Sequence, residues 1–172
     1  MDKDQLLMYL NALNEKMKHR EISGELHMYG GAVMCLVLNA RQTTKDIDAW
    51  FAPAQDMREL ISQVARENGI EEDWLNDGVK GFISENDEME DFLTLSNLKI
   101  CAAKPEYVFA MKCMAARTDT DSKDAGDIKF LINYLGLKNY EEGEKILLRY
   151  FPENLISIKT QLLLESIFED NM

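Results

Sequence analysis

The chain has 172 residues, 46% of them apolar, with 19 Lys and Arg against 31 Asp and Glu, a net charge of −12. This supports one folded domain, alone or with a small helical extension, and excludes global disorder. The acidity argues against an extended phosphate-tracking groove for nucleic acid, and the apolar run from Ala32 to Leu38 is far short of the roughly 20 residues that cross a bilayer.

Residues 2–19 read as a helix, because Leu6, Leu10, Leu13 and Met17 recur on one face. Residues 25–29 read as a strand, broken by Gly30-Gly31, and an apolar helix follows from Ala32 to Asn39. Ile47 to Phe51 reads as a mostly buried strand, and Met57, Leu60, Ile61 and Val64 mark an amphipathic helix. Trp74 to Phe82 is short and irregular, with Trp74 expected in the core. Phe92 to Leu95 and Leu98 to Ala102 suggest a hairpin around Ser96-Asn97. The acidic run Glu85 to Asp91 is expected to be a solvated loop or a face for a basic partner.

From Pro105 onward everything reads as helical. Ser122 is an expected N-cap, Asn139 with Glu142 resembles a capping box, and Leu155, Ile158, Leu162 and Leu163 are expected to stripe the last helix. Pro53, Pro105 and Pro152 each stand where a helix can begin. The expected fold class is α/β (α+β). A small mixed β-sheet flanked by helices occupies residues 1–103, and a helical C-terminal part, residues 104–172, packs on it as one compact unit.

The cysteines, Cys35, Cys101 and Cys113, are odd in number and widely spaced, which argues against a disulfide framework or a structural zinc site. Only His19 and His27 are present, so a His-rich metal site is excluded. The opening Met-Asp-Lys-Asp-Gln lacks a signal-peptide layout, so a reduced, cytoplasmic protein is expected. His19 is expected at the surface, His27 as a packed or half-exposed side chain, Trp50 in the core, and the ten methionines, at helical spacing, as core.

The chemistry concentrates between Tyr29 and Phe51. Asp46 and Asp48 are two apart in a strand, and residues i and i+2 of a strand share a face. Two adjacent carboxylates repel unless a cation such as Mg²⁺ lies between them. Gly30 and Gly31 lack side chains, so backbone amides there can approach a phosphate closely.

Gly30-Gly31 followed by Thr44-Lys45-Asp46-Ile47-Asp48 resembles the Gly-Gly or Gly-Ser, Asp-x-Asp signature of the nucleotidyltransferase superfamily with the DNA polymerase β fold. The stretch from Asp73 to Phe82, the stretch from Met111 to Arg117, and Asp124-Ala125-Gly126-Asp127-Ile128 are similar to segments of a bacterial nucleotidyltransferase-like family akin to the AbiEii-type toxins. The resemblance runs from about residue 27 to the end. It implies transfer of a nucleoside monophosphate from a triphosphate (NTP) to an acceptor hydroxyl on an RNA end, a protein or a small molecule. In this reading Asp46 and Asp48 ligate Mg²⁺ or Mn²⁺, and Gly30, Gly31, Thr44 and Lys45 bind the nucleotide. Lys112 and Arg117 either reach the triphosphate or snorkel to solvent, and Asp124 is a candidate partner for Arg117. Lys123 and Asp127 are an i, i+4 pair. A toxin–antitoxin or phage-defence role, with an antitoxin as protein partner, follows from the same resemblance.

The sequence departs from the family in two places. Many members carry serine where Gly31 stands. The superfamily's third carboxylate has no counterpart between Leu98 and Ala102, where Lys99 is the only charge, and Asp91 is the nearest acid. Without that acid, a catalytically silent nucleotide-binding or protein-interaction module is the rival expectation, and a ligand-free scaffold the third.

Overall fold

The computed structural model describes residues 1–117 and 122–171. Its architecture is α+β, a five-stranded mixed sheet flanked by helices and followed by a helical C-terminal part. The chain divides into two compact units, one of residues 1–81 and 89–103, the other of residues 82–88 and 104–172.

In the first unit, α1 (Lys3–His19) starts at an Asp2 capping box with Gln5. Its stripe of Leu6, Leu10, Leu13 and Met17 is fully buried, as the spacing predicts. β1 (Gly24–Met28) leads into α2 (Gly30–Leu36), which is followed by β2 (Ile47–Ala52) and α3 (Ala54–Asn68). A 3-10 turn, Glu72–Trp74, precedes a two-residue strand that the sequence did not suggest, β3 (Leu75–Asn76). A second 3-10 turn, Gly78–Phe82, comes next. β4 (Met89–Thr94) and β5 (Leu98–Ala103) are the expected hairpin. Its turn is held by Asn14 of α1, whose amide donates to Ser96 Oγ at 3.1 Å and whose carbonyl oxygen accepts from the Asn97 amide at 2.8 Å.

The strand order is β3-β2-β1-β5-β4. β1 is antiparallel to β2 and parallel to β5, β2 is parallel to β3, and β4 is antiparallel to β5. Alternation assigns Leu26, Met28, Ile47, Ala49, Phe51, Leu98, Ile100 and Ala102 to the buried face. The opposite face carries Glu25 and His27, Asp48 and Trp50, Lys99 and Cys101, with Asp91 at the edge. Trp50 is therefore half-buried on the outer face, not in the core, where its ring lies 5.0 Å from that of His27. Its apolar character concealed its parity, which is that of Asp48. Trp74 is buried as expected, and its indole N–H donates to the Ile61 carbonyl at 3.1 Å.

The second unit contains α4 (Pro105–Ala115), α5 (Lys123–Leu135), α6 (Tyr140–Tyr150), a 3-10 turn and α7 (Ile158–Asp170). Ser122 caps α5 through the Ala125 amide. Asn139 caps α6, but Glu142 reaches back one residue further than a capping box requires and accepts from the Lys138 amide. The expected stripe on α7 is displaced. Leu163, Leu164, Ile167 and Phe168 are buried, whereas Ile158 is 72% exposed and Leu155 and Leu162 face solvent. Leu155 belongs to the preceding 3-10 turn, which resets the helical phase at the Ser157 cap. The acidic run is not uniformly a loop: Glu88 pairs with Lys104 at 3.1 Å, and Glu90 and Asp91 lie in β4. Among the described residues no helix is long and apolar enough to cross a membrane.

Candidate functional site: the glycine turn and the paired aspartates

β1 ends where α2 begins, and the turn between them sits beside the start of β2. The Tyr29 amide donates to the Asp48 carbonyl at 2.9 Å, which extends the β1–β2 ladder into the turn. Gly30 takes the left-handed conformation (φ +56°), which a residue with a Cβ adopts only at a cost of roughly 1 kcal/mol or more. A Cβ built on it would lie 3.7 Å from Asp48 Oδ2, so this carboxylate faces the turn. Tyr29, the residue preceding α2, makes no side-chain cap to the helix's first amides.

Gly31 has a different reason to lack a side chain. Its Cβ would come within 2.8 Å of Thr44 Oγ1 and 3.3 Å of Arg41 Nη1. Thr44 is buried, and its hydroxyl donates to the Asp46 carbonyl at 3.2 Å, tying the turn to the first aspartate. A serine at position 31 would meet the same obstruction, which accounts for the glycine there. Gly31→Ala is expected to destabilise by about 1–3 kcal/mol in urea melts, and the double variant G31A/T44A by clearly less than the sum of the two single changes. Equal costs in the single and double backgrounds would refute the steric account.

Asp46 immediately precedes β2 and Asp48 lies within it, and both are half-buried. Burial and the neighbouring Asp48 carboxylate push the Asp46 acid above its ordinary range. Lys45 opposes the shift and Asp73 adds to it. Among the described residues neither aspartate forms an ion pair with a lysine or arginine. Two neighbouring acids without a lysine or arginine ion pair among the described residues form a donor set that suits a hard divalent cation with oxygen ligands. Lys45 is exposed beside them.

Comparison with protein-family models, curated proteins and solved structures finds no match for this chain.

Asp91 does not join this pair. It lies on edge strand β4, three strand positions from β2, roughly 14 Å at the usual interstrand spacing. It is also 77% exposed and paired with Lys99 at 3.3 Å. Asp73, in the 3-10 turn leading into β3, adds a smaller push to the Asp46 acid than Asp48 does. Its nearness depends on β3 pairing with β2, with Ile47 opposite Leu75 and Asp48 opposite Asn76. Only the parallel register reveals it. Asp77, in the same segment, is committed elsewhere: Arg58 and Lys80 hold it and keep its carboxyl below the usual range.

In the second unit, Lys112 donates to Asp124 at 3.2 Å and approaches Asp127 at 2.9 Å. Asp127 is only 6% exposed. Lys112 thus neither snorkels to solvent nor leaves Asp124 to Arg117. Asp127 turns inward to Lys112 rather than forming only a surface pair with Lys123. Arg117 is exposed beyond the end of α4.

A further group lies on the outer sheet face. His27 stands opposite Cys101 across the parallel β1–β5 pair, and Glu25 is two residues before His27. His27 Nε2 is 2.8 Å from Glu25 Oε1, and Cys101 Sγ is 4.0 Å from the same oxygen and 3.6 Å from Asp91 Oδ1. Burial pushes the Cys101 thiol up, Lys99 opposes this, and Asp91 and Glu25 reinforce it. The sequence separates His27 and Cys101 by 74 positions, and no motif spacing could have joined them.

An open cleft of about 420 Å³ is lined by Asp2, Lys3, Cys35, Asn39, Arg41 and Gln42 among others, and neither aspartate is among its lining residues.

Proposed function

We propose that the chain is a divalent-metal-dependent nucleotidyltransferase that moves a nucleoside monophosphate from an NTP to an acceptor hydroxyl and releases pyrophosphate. One observation carries this reading: Asp46 and Asp48 share a half-buried patch with no lysine or arginine ion pair among the described residues, and Asp48 Oδ2 faces the left-handed Gly30 turn. Asp46 and Asp48 hold Mg²⁺ or Mn²⁺, which when bound supplies positive charge to the phosphate oxygens. The Gly30-Gly31 backbone, bare of side chains, lets the outer phosphates approach the turn that Asp48 Oδ2 faces. Thr44 fixes the Asp46 backbone through its hydroxyl, and Lys45 adds a cation at the edge.

The second reading, a nucleotide-binding module without turnover, is favoured by one feature: on the outer face β5 offers Lys99 and Cys101 and no acid. Incubation of the full chain with labelled NTPs and Mg²⁺ separates the two. Pyrophosphate release that disappears in both D46N and D48N supports the transferase. Nucleotide binding without release supports the module. A chain with neither binding nor an Mg²⁺-dependent thermal shift defeats both.

A further inference from the structure

Glu25, His27 and Cys101 present one ligand atom each within 4.8 Å of one another. Around a tetrahedral zinc ion, ligand atoms lie about 3.3–3.8 Å apart, given bonds of about 2.0 Å to nitrogen or oxygen and about 2.3 Å to sulfur. The contacts here, 2.8 Å from imidazole to carboxylate and 4.0 Å from thiol to carboxylate, bracket that range, so a metal could enter with small side-chain adjustments. The donor set of one sulfur, one imidazole nitrogen and one carboxylate oxygen suits a borderline-soft ion and disfavours Mg²⁺ or Ca²⁺.

We infer that Glu25, His27 and Cys101 form a mononuclear Zn²⁺ site on the outer face of the sheet, with water in the fourth position. A thiolate and a carboxylate neutralise the dication. Asp91 lies beside the thiol, 3.6 Å from Sγ, on the exposed side of the site, where it pairs with Lys99 and faces the water in the fourth position. Cys101 is 5% exposed, whereas His27 and Glu25 are half-exposed, so the sulfur is shielded and the open position faces out. The Trp50 ring against His27 restricts the imidazole. Binding releases the Cys101 proton to solvent, and His27 Nε2 exchanges its contact with Glu25 for the metal. This inference is independent of the proposed transferase activity, since it uses neither Asp46 nor Asp48.

The test is titration of the full chain with Co²⁺ as a spectroscopic substitute, followed by displacement with Zn²⁺. The expected result is one equivalent of Co²⁺ with a near-ultraviolet thiolate-to-cobalt charge-transfer band and strong tetrahedral visible bands, all abolished by Zn²⁺. C101S loses the charge-transfer band, E25Q and H27Q weaken Co²⁺ binding by at least about tenfold, and C35S retains both band and affinity. If C101S does not fold by circular dichroism, H27Q, altered on the half-exposed face, reads the same outcome. A wild-type chain without the band, a band that survives C101S, or affinity unchanged in H27Q overturns the site.

Discussion

Asparagine in place of Asp46 is expected to abolish Mg²⁺-dependent pyrophosphate release, by roughly a hundredfold or more, and to raise the stability of the metal-free chain at neutral pH. The two effects share a cause. The fold holds Asp46 where burial and Asp48 disfavour its charge, so its acid is weaker in the folded chain than in the unfolded one. For such a group the stability is fully present below the unfolded value, near 3.8, and is lost as pH rises through the folded value. At neutral pH both states are ionised and the whole cost is felt. D46N removes that cost, so its advantage over wild type in urea melts is present at pH 7 and shrinks as pH falls toward 4. Bound Mg²⁺ offsets the same repulsion, so the metal is expected to raise the melting temperature of wild type and not of D46N. A D46N chain that is less stable at pH 7, or that keeps its Mg²⁺ shift, would contradict the metal-holding role.

Loss of the Lys112 ammonium is expected to destabilise the chain strongly. Lys112→Ala takes a cation from two carboxylates, one of them almost wholly buried. Removing one member of a buried ion pair costs about 3 kcal/mol, because the remaining charge stays in a poorly solvating place. The expected fall in melting temperature is roughly 6–12 °C for a chain of this size. Making Asp127 neutral as well recovers much of the loss, so K112A/D127N is expected to be more stable than K112A alone. Lys112 also bears on the resemblance that assigned it to the triphosphate. With its charge already met by Asp124 and Asp127, its first effect is on folding. Activity of K112A is therefore to be read well below its melting temperature, and a K112A chain as stable as wild type would remove the structural role.

Much of the architecture follows from local pattern. The four-residue stripe of α1, the Ser122 cap and the hairpin turn at Ser96-Asn97 all depend on residues within a few positions of one another. Helical period, capping chemistry and turn preference act over that range. The same holds in part for the candidate site, since Gly30, Gly31, Asp46 and Asp48 lie close in sequence; only Asp48 lies within β2, however, and Asp46, expected in the strand, stands just before it, with Thr44 donating to its carbonyl. Where a local pattern was ambiguous it misled. Ile158 and Leu162 keep the spacing of a buried face, yet helix phase is set by the Ser157 cap and by what the helix packs on, and other residues turn inward.

Sequence alone thus determined that helices, strands and a paired-acid turn exist, because those depend on near neighbours and on chain geometry. Strand order was decided only in three dimensions. It carried Asp91 to the far edge, brought Asp73 toward Asp46, and set Cys101 against His27. Pairing partners are chosen by the burial of whole faces, a property of the assembled sheet that no short stretch of residues contains.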